Sequence, residues 1–279
     1  MSIRLIALDL DGTLLTTDKR LTEKTVEVLS QAALRGIYIV PATGRSITGL
    51  APEVRDLPFV RYVITVNGAA VWDIKENRLI SRCAFSSEQA EKIWDFIGQY
   101  HTMTDACVDG VSRMEPDYYR KVDEYMPDEP KRRMIRTTRV PTEHLRSWIT
   151  DPEKHVEKFN IFFPVKREAD RIRAREELRR FPFLEISSSL GNNLEINLSD
   201  ATKGRGLASL AAHLGLDRTQ VMACGDGEND ISMLVEAGIG VAMDNAPDCV
   251  KESADVVTLG NDQDGVAYAI EKWGFCNGN

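Results

Sequence analysis

Asp9 and Asp11 lie two residues apart at the end of a short apolar run, so on an extended backbone their carboxylates project to the same side. A second acidic pair, Asp226 and Asp230, falls within Gly225-Asp226-Gly227-Glu228-Asn229-Asp230. Gathered into one cleft, these four carboxylates would repel one another. Two unit charges roughly 4 Å apart do so by about 4 kcal/mol at an effective dielectric of about 20. Such a cluster demands a cation, and hard oxygen ligands beside a phosphate favour Mg2+. Neither pair makes a calcium loop. Counted from Asp9, the fifth and sixth positions are Thr13 and Leu14; counted from Asp226, Asp230 fits the fifth but Ile231 stands where the loop needs glycine.

Three further residues suit an anion. The Thr43 hydroxyl and the Gly44 amide form a small cradle at an expected helix N-terminus. Lys203 opens another expected helix, where its charge opposes the macrodipole unless something negative sits there. A phosphate supplies that negative charge. Plainer readings stand beside these. Asp9 and Asp11 fit a strand entering an Asp-Gly turn, Thr43 fits a helix cap, and Lys203 fits a solvated surface position.

The elements that must position these residues are legible in the flanks of the chain. Ile3–Leu8 is a mostly apolar run, as a central parallel strand should be. The pattern predicts a helix over Thr22–Arg35 capped by Gly36, a strand over Ile37–Val40, a helix over Ser46–Leu57 and a strand over Tyr62–Val66. After residue 200 the rhythm repeats. Helices over Thr202–Leu214, Asn229–Ala237, Pro247–Ser253 and Gly265–Trp273 alternate with strands over Val221–Cys224, Ile239–Ala242 and Val256–Thr258. This alternation implies an α/β protein with a Rossmann-like parallel sheet core, whose ligands bind beyond the carboxyl ends of the strands. The acidic pairs and Thr43 all fall at such ends.

The middle of the chain differs. It has helices over Glu88–Tyr100 and Glu168–Phe181, and a hairpin-like pair, Leu184–Ser189 and Leu194–Leu198. It reads as an inserted α+β cap domain over 84–197, leaving 1–83 and 198–279 as the core.

A net charge of −8 argues against an extended nucleic-acid surface, yet leaves room for a small phosphorylated ligand. Five scattered cysteines without a C-x-x-C pair suit free thiols in a reducing cytoplasm. The opening MSIRLIALDLDG is too short in its apolar run for a signal peptide, and no stretch is long and apolar enough to span a membrane. Cys107 and Arg113 match C-x5-R, a pattern that chance supplies readily in a chain with this many arginines. The basic stretches around Lys131–Arg139 and Arg171–Arg180 read as solvated faces, with one arginine left as a candidate for the cleft. Asn67-Gly68 reads as a hairpin turn, with contact to a leaving group as its second reading.

Together the motifs resemble the haloacid dehalogenase (HAD) superfamily of phosphotransferases. Asp9-Leu10-Asp11-Gly12-Thr13 is similar to its first motif, Thr43 to its second, Lys203 to its third, and Gly225-Asp226 with Asn229-Asp230 to its fourth. The insertion between the second and third motifs resembles the Cof-type (IIB) branch. That resemblance implies a phosphatase of small phosphorylated metabolites, with Asp9 as nucleophile and Asp11 as general acid and base. It implies Mg2+ on Asp9, the Asp11 carbonyl and Asp226, with Asp230 in support. It further implies that Leu10, Thr43, Gly44, Lys203 and Asn229 hold the phosphate. A phosphomutase, or a sugar-phosphate sensor without turnover, stays open beside it.

Overall fold

The strand that carries the first acidic pair is buried along its whole length. In the computed structural model, which describes residues 2–126 and 128–275, β1 (Leu5–Leu8) has no exposed side chain. It leads into α1 (Glu23–Leu34), where the Thr22 hydroxyl caps the helix by accepting from the Thr25 amide. Gly36 closes the helix with φ at 76°. Next come β2 (Tyr38–Pro41), the short α2 (Pro52–Arg55), β3 (Tyr62–Thr65), β4 (Ala70–Asp73) and β5 (Arg78–Arg82).

The continuous helix expected over Ser46–Leu57 does not form. A 3-10 turn over Ile47–Gly49 precedes α2, and Ala51 between them holds ψ at 127°. The cause is Pro52, which lacks an amide hydrogen and keeps the preceding residue out of the helical region. Thr43 and Gly44 therefore do not stand at a helix N-terminus.

The inserted segment then builds α3 (Ser87–Ile97), β6 (Met103–Val108), β7 (Val111–Met114), α4 (Pro116–Arg120), α5 (Val122–Tyr125) and α6 (Glu129–Thr138). It continues with β8 (Val140–Pro141), α7 (Leu145–Thr150), β9 (Val156–Phe162), α8 (Glu168–Leu178), β10 (Leu184–Ser187) and β11 (Asn193–Leu198). The chain returns through α9 (Lys203–His213), β12 (Val221–Gly225), α10 (Ile231–Glu236), β13 (Ile239–Ala242), α11 (Asp248–Lys251), β14 (Val256–Val257) and α12 (Gly265–Ala269). Short 3-10 and π turns flank α10 and α12, over Glu228–Asp230 and Ile270–Gly274.

Two units result. One comprises residues 1–44, 50–82 and 202–279; the other comprises 45–49 and 83–201. The first holds a parallel sheet in the order β14-β13-β12-β1-β2, with Leu5 opposite both Val221 and Tyr38. The antiparallel β3-β4-β5 sheet adjoins β2 through parallel bridges at Ile39–Val60 and Ala42–Ile64. Leu5 and Ala7 pack with Leu207 and Leu210 of α9 and Leu234 of α10. Ile6 and Leu8, pointing the other way, are equally buried, so the sheet is covered on both faces.

The second unit is a mixed sheet in the order β10-β11-β9-β6-β7-β8, antiparallel except between β7 and β8. Phe159, Ile161, Leu194 and Ile196 face α3, α7 and α8 across an apolar core. The opposite face carries buried polar residues, among them Asp105, Lys158, Asn160 and Glu195. The α/β core with an inserted α+β domain is thus the fold expected from the sequence pattern. Cys276 lies outside the described residues; Cys107, Cys224 and Cys249 are free thiols.

Candidate active site

β1 ends where its neighbours are buried, and the chain turns at once. The Asp9 amide still donates to the Cys224 carbonyl at 3.0 Å, which locks the start of the loop onto β12. Beyond it the Leu14 amide donates back to the Asp9 carbonyl (3.2 Å) and the Leu15 amide to the Leu10 carbonyl (2.9 Å). The turn needs glycine at position 12. Gly12 has φ at 95°, and a Cβ there would lie 2.3 Å from Asp226 Oδ2.

That close approach lets Thr13 donate from Oγ1 to Asp226 Oδ1 at 2.6 Å. Asp230 is engaged from both ends. Its Oδ2 accepts from the Asp226 and Gly227 amides at 3.0 and 2.9 Å, and its Oδ1 accepts from Lys203 Nζ at 2.6 Å. Lys203, the first residue of α9, is wholly buried and also donates to Asp9 Oδ1 at 2.5 Å. Thr202 caps this helix and the Gly204 amide is tied to Ser232 Oγ, so the ammonium is delivered from a fixed turn.

Asp9, Asp226 and Asp230 thus have carboxylate oxygens within 4.8 Å of one another. Three carboxylates against one ammonium would leave two negative charges if all were ionised, which this largely buried space resists. Burial, then the charge of Asp230, push Asp9 up to about 8 against the pull of Lys203. Asp226 is raised as well, by burial first, despite the Thr13 hydroxyl. Lys203 is held above its ordinary value: burial works against its charge, but Asp230 and Asp9 outweigh it. A group of hard oxygens with this excess of negative charge fits a metal ion.

Asp11 does not join this group. Its carboxylate pairs with Lys19 Nζ at 2.8 Å. Burial apart, the Asp11 charge still reaches Asp226 and helps to raise that carboxyl.

Thr43 sits at the carboxyl end of β2, its amide donating to the Ile64 carbonyl at 2.9 Å. Asn67 links the remaining candidates. Its amide donates to the Thr43 carbonyl at 3.1 Å, and its side-chain oxygen accepts from Asn229 Nδ2 at 3.2 Å. A Cβ on Gly44 would come within 2.8 Å of that same oxygen. Asn67 is the residue missing from the expected site set. It and Val66 both lie in the left-handed region, at φ 56° and 54°. The hairpin between β3 and β4 does turn here. The Asn-Gly signal that announced the turn said nothing about where its side chain would point. Leu10 is buried and its carbonyl accepts from Leu15.

The other signals resolve into structural roles. Cys107 and Arg113 lie on the paired strands β6 and β7, where Cys107 faces Ser112 and Arg113 faces Ala106, so no loop cradles an anion between them. Burial and then Glu157, which accepts from the thiol at 3.0 Å, push Cys107 well above the ordinary thiol range. Most basic residues of α6 and α8 pair with acids on their own helix or nearby, but Arg139 makes a largely buried pair with Asp105 at 2.9 Å.

The model of the haloacid dehalogenase-like hydrolases matches residues 6–270. The 5-amino-6-(5-phospho-D-ribitylamino)uracil phosphatase of Bacillus subtilis is 33% identical, over 98% of this chain and 96% of its own. A haloacid dehalogenase-like hydrolase from Bacteroides thetaiotaomicron superposes with a TM-score of 0.82 at 29% identity, covering 97% of this chain and 99% of that one. A HAD subclass IIB sugar phosphatase does so with a TM-score of 0.78 at 26% identity, covering 98% and 100%. With an α/β core, an inserted α+β domain and an acidic group at the strand ends, the chain belongs to the haloacid dehalogenase-like hydrolases, in the subclass IIB branch of phosphoric monoester hydrolases.

Proposed function

We propose that this protein is a Mg2+-dependent phosphatase of small phosphorylated metabolites, sugar phosphates foremost, working through a phospho-aspartate on Asp9. The observation that carries the reading is the buried Lys203 ammonium, 2.5 Å from Asp9 and 2.6 Å from Asp230, with Asp226 in the same acidic group. An Asp9 oxygen attacks phosphorus, and the ester oxygen leaves with a proton from Asp11. Asp11 then takes a proton from water, which attacks the aspartyl phosphate and frees inorganic phosphate. Lys203, Thr43, Asn229 and the amides of Leu10 and Gly44 hold the phosphate oxygens in this scheme. Asp9, Asp226 and the Asp11 carbonyl would hold Mg2+, with Asp230 behind them. Bound there, Mg2+ supplies the charge that lets nucleophile and phosphate approach.

Asp230 suits the supporting role, since its oxygens are engaged by Lys203 and two amides. The relatives support the substrate class. One acts on a phosphorylated ribityl chain and another is a sugar phosphatase. In this reading the segment 84–197 selects the substrate. The free thiols suit a cytoplasmic enzyme, and among the described residues no helix is long and apolar enough to cross a membrane.

The test is phosphate release from a panel of phosphometabolites, with and without Mg2+. Asp9→Asn should lower turnover by at least roughly a thousandfold. Near-normal rates in that variant, with its fold intact, would remove the nucleophile. An isomeric phosphate in place of free phosphate would mean a mutase.

A further inference from the structure

Gly12 has to be glycine because Asp226 leaves no room for a Cβ, yet glycine is the residue least able to hold its own backbone still. Two remote loops hold it instead. Asn245, in the loop after β13, donates from Nδ2 to the Gly12 carbonyl at 2.9 Å. Its oxygen accepts from the Asn261 amide at 3.0 Å, and Asn261 in turn donates from Nδ2 to the Leu15 carbonyl at 3.0 Å. Next along, Asp262 accepts from both the amide and the hydroxyl of Thr17, at 2.8 and 2.7 Å.

These side chains grip the loop at residues 12, 15 and 17, immediately beyond Asp11. The loop itself belongs to none of the named strands; besides this grip it is held by its own turn bonds, with Thr16 and Arg20 joined across one of them, and by the Thr13 hydroxyl on Asp226. Remove the grip, and the Gly12 carbonyl loses its side-chain anchor one residue beyond Asp11.

We infer that Asn245, Asn261 and Asp262 are positioning residues for Asp11, aligning its carboxyl with the leaving oxygen. The inference rests on the role proposed for Asp11 above. A misplacement of about 1 Å can cost a hundredfold in rate, so the loss of one such bond suffices to matter.

The leaving group gives a readout that a merely structural role would not move. An alkyl phosphate needs a proton on its departing oxygen; 4-nitrophenyl phosphate needs it far less. The quantity to compare is kcat/KM, which includes that departure, for Asn245→Ala, Asn245→Asp and Asn261→Ala. Asn245→Asp keeps the shape and loses the donor. Each variant should lose about tenfold or more on the alkyl phosphate and less than about threefold on the aryl phosphate. Equal losses on both substrates, or wild-type values on both, would overturn the inference. Thermal unfolding checks the fold of each protein, and Asp262→Asn replaces any that fails it. Asp9→Asn, run alongside, separates the two ideas. If it still turns over the alkyl phosphate, the phospho-aspartate reading itself falls; if it is inactive while the clamp variants show no split, only the clamp falls.

Discussion

Lys203 Nζ stands 2.6 Å from Asp230 Oδ1, an ion pair shut away from solvent between the first turn of α9 and the loop that follows β12. Lys203 has a second carboxylate in Asp9, but among the described residues Asp230 has no other cation in so dry a setting. The pair ties the phosphate-side cation to the acid that also fastens the Asp226 and Gly227 amides.

Replacing Lys203 by methionine keeps the length and removes the charge. The expected result is a loss of about a hundredfold or more in kcat/KM. Stability at neutral pH should also fall, since breaking a buried pair costs about 3–5 kcal/mol. Saturating Mg2+ should not restore the rate. Full activity at high Mg2+ would show that the ammonium only balances charge.

Thr13→Val removes the hydroxyl that aims Asp226 and keeps the side-chain volume. The Mg2+ concentration for half-maximal phosphate release should rise by about 10- to 100-fold, with a smaller change in the maximal rate. A titration of activity against Mg2+ reads both quantities, and an unmoved midpoint would detach Thr13 from the metal.

Gly68 supports the site from beneath. Its φ is 97°, and a Cβ would lie 1.9 Å from the carbonyl oxygen of Thr202, the cap of the helix that carries Lys203. Gly68→Ala should therefore destabilise the fold by more than the ~1–2 kcal/mol of the left-handed backbone alone. Gly191→Ala, at φ 83° with nothing within 4 Å, is the comparison that suffers only the backbone part. Urea midpoints for the two variants should differ clearly; equal midpoints would mean that the α9 terminus yields to the methyl group.

The inserted domain has its own pH signature. Glu195 sits 3.1 Å from Lys158 Nζ. Burial works against its charge, but Lys158 and the Ser189 hydroxyl outweigh burial and hold the carboxyl below its ordinary value. A lowered folded-state pKa means that the unfolded chain binds the proton first as pH falls. The stabilisation is complete above the ordinary glutamate value of about 4.3 and drains away as pH drops through the lower folded value. Thermal unfolding of the wild type and Glu195→Gln between neutral and acidic pH should show the gap between them closing in that window. A constant gap would mean that Glu195 contributes by shape and not by charge.

Much of this protein was legible before any fold was in hand. β1 and β13 were readable because a parallel strand covered on both faces must be apolar along its length, and that is a local property. The acids at 9, 226 and 230 were readable because a parallel sheet offers its strand ends to ligands, and Lys203 because a lysine opening a helix opposes the macrodipole. Their order along the chain marked the family.

Tertiary structure decided the rest, because the deciding contacts join residues with no local bearing on each other. Thr13 and Asp226 are 213 positions apart, and Asn245 and Gly12 are 233 apart. No periodicity foretells that Asp11 pairs with Lys19, that Asn67 bridges Thr43 and Asn229, or that Asn245 stills a glycine which Asp226 requires. Hydrophobic pattern sets which segments are buried together; which polar atoms then meet depends on how those segments close, to within an ångström.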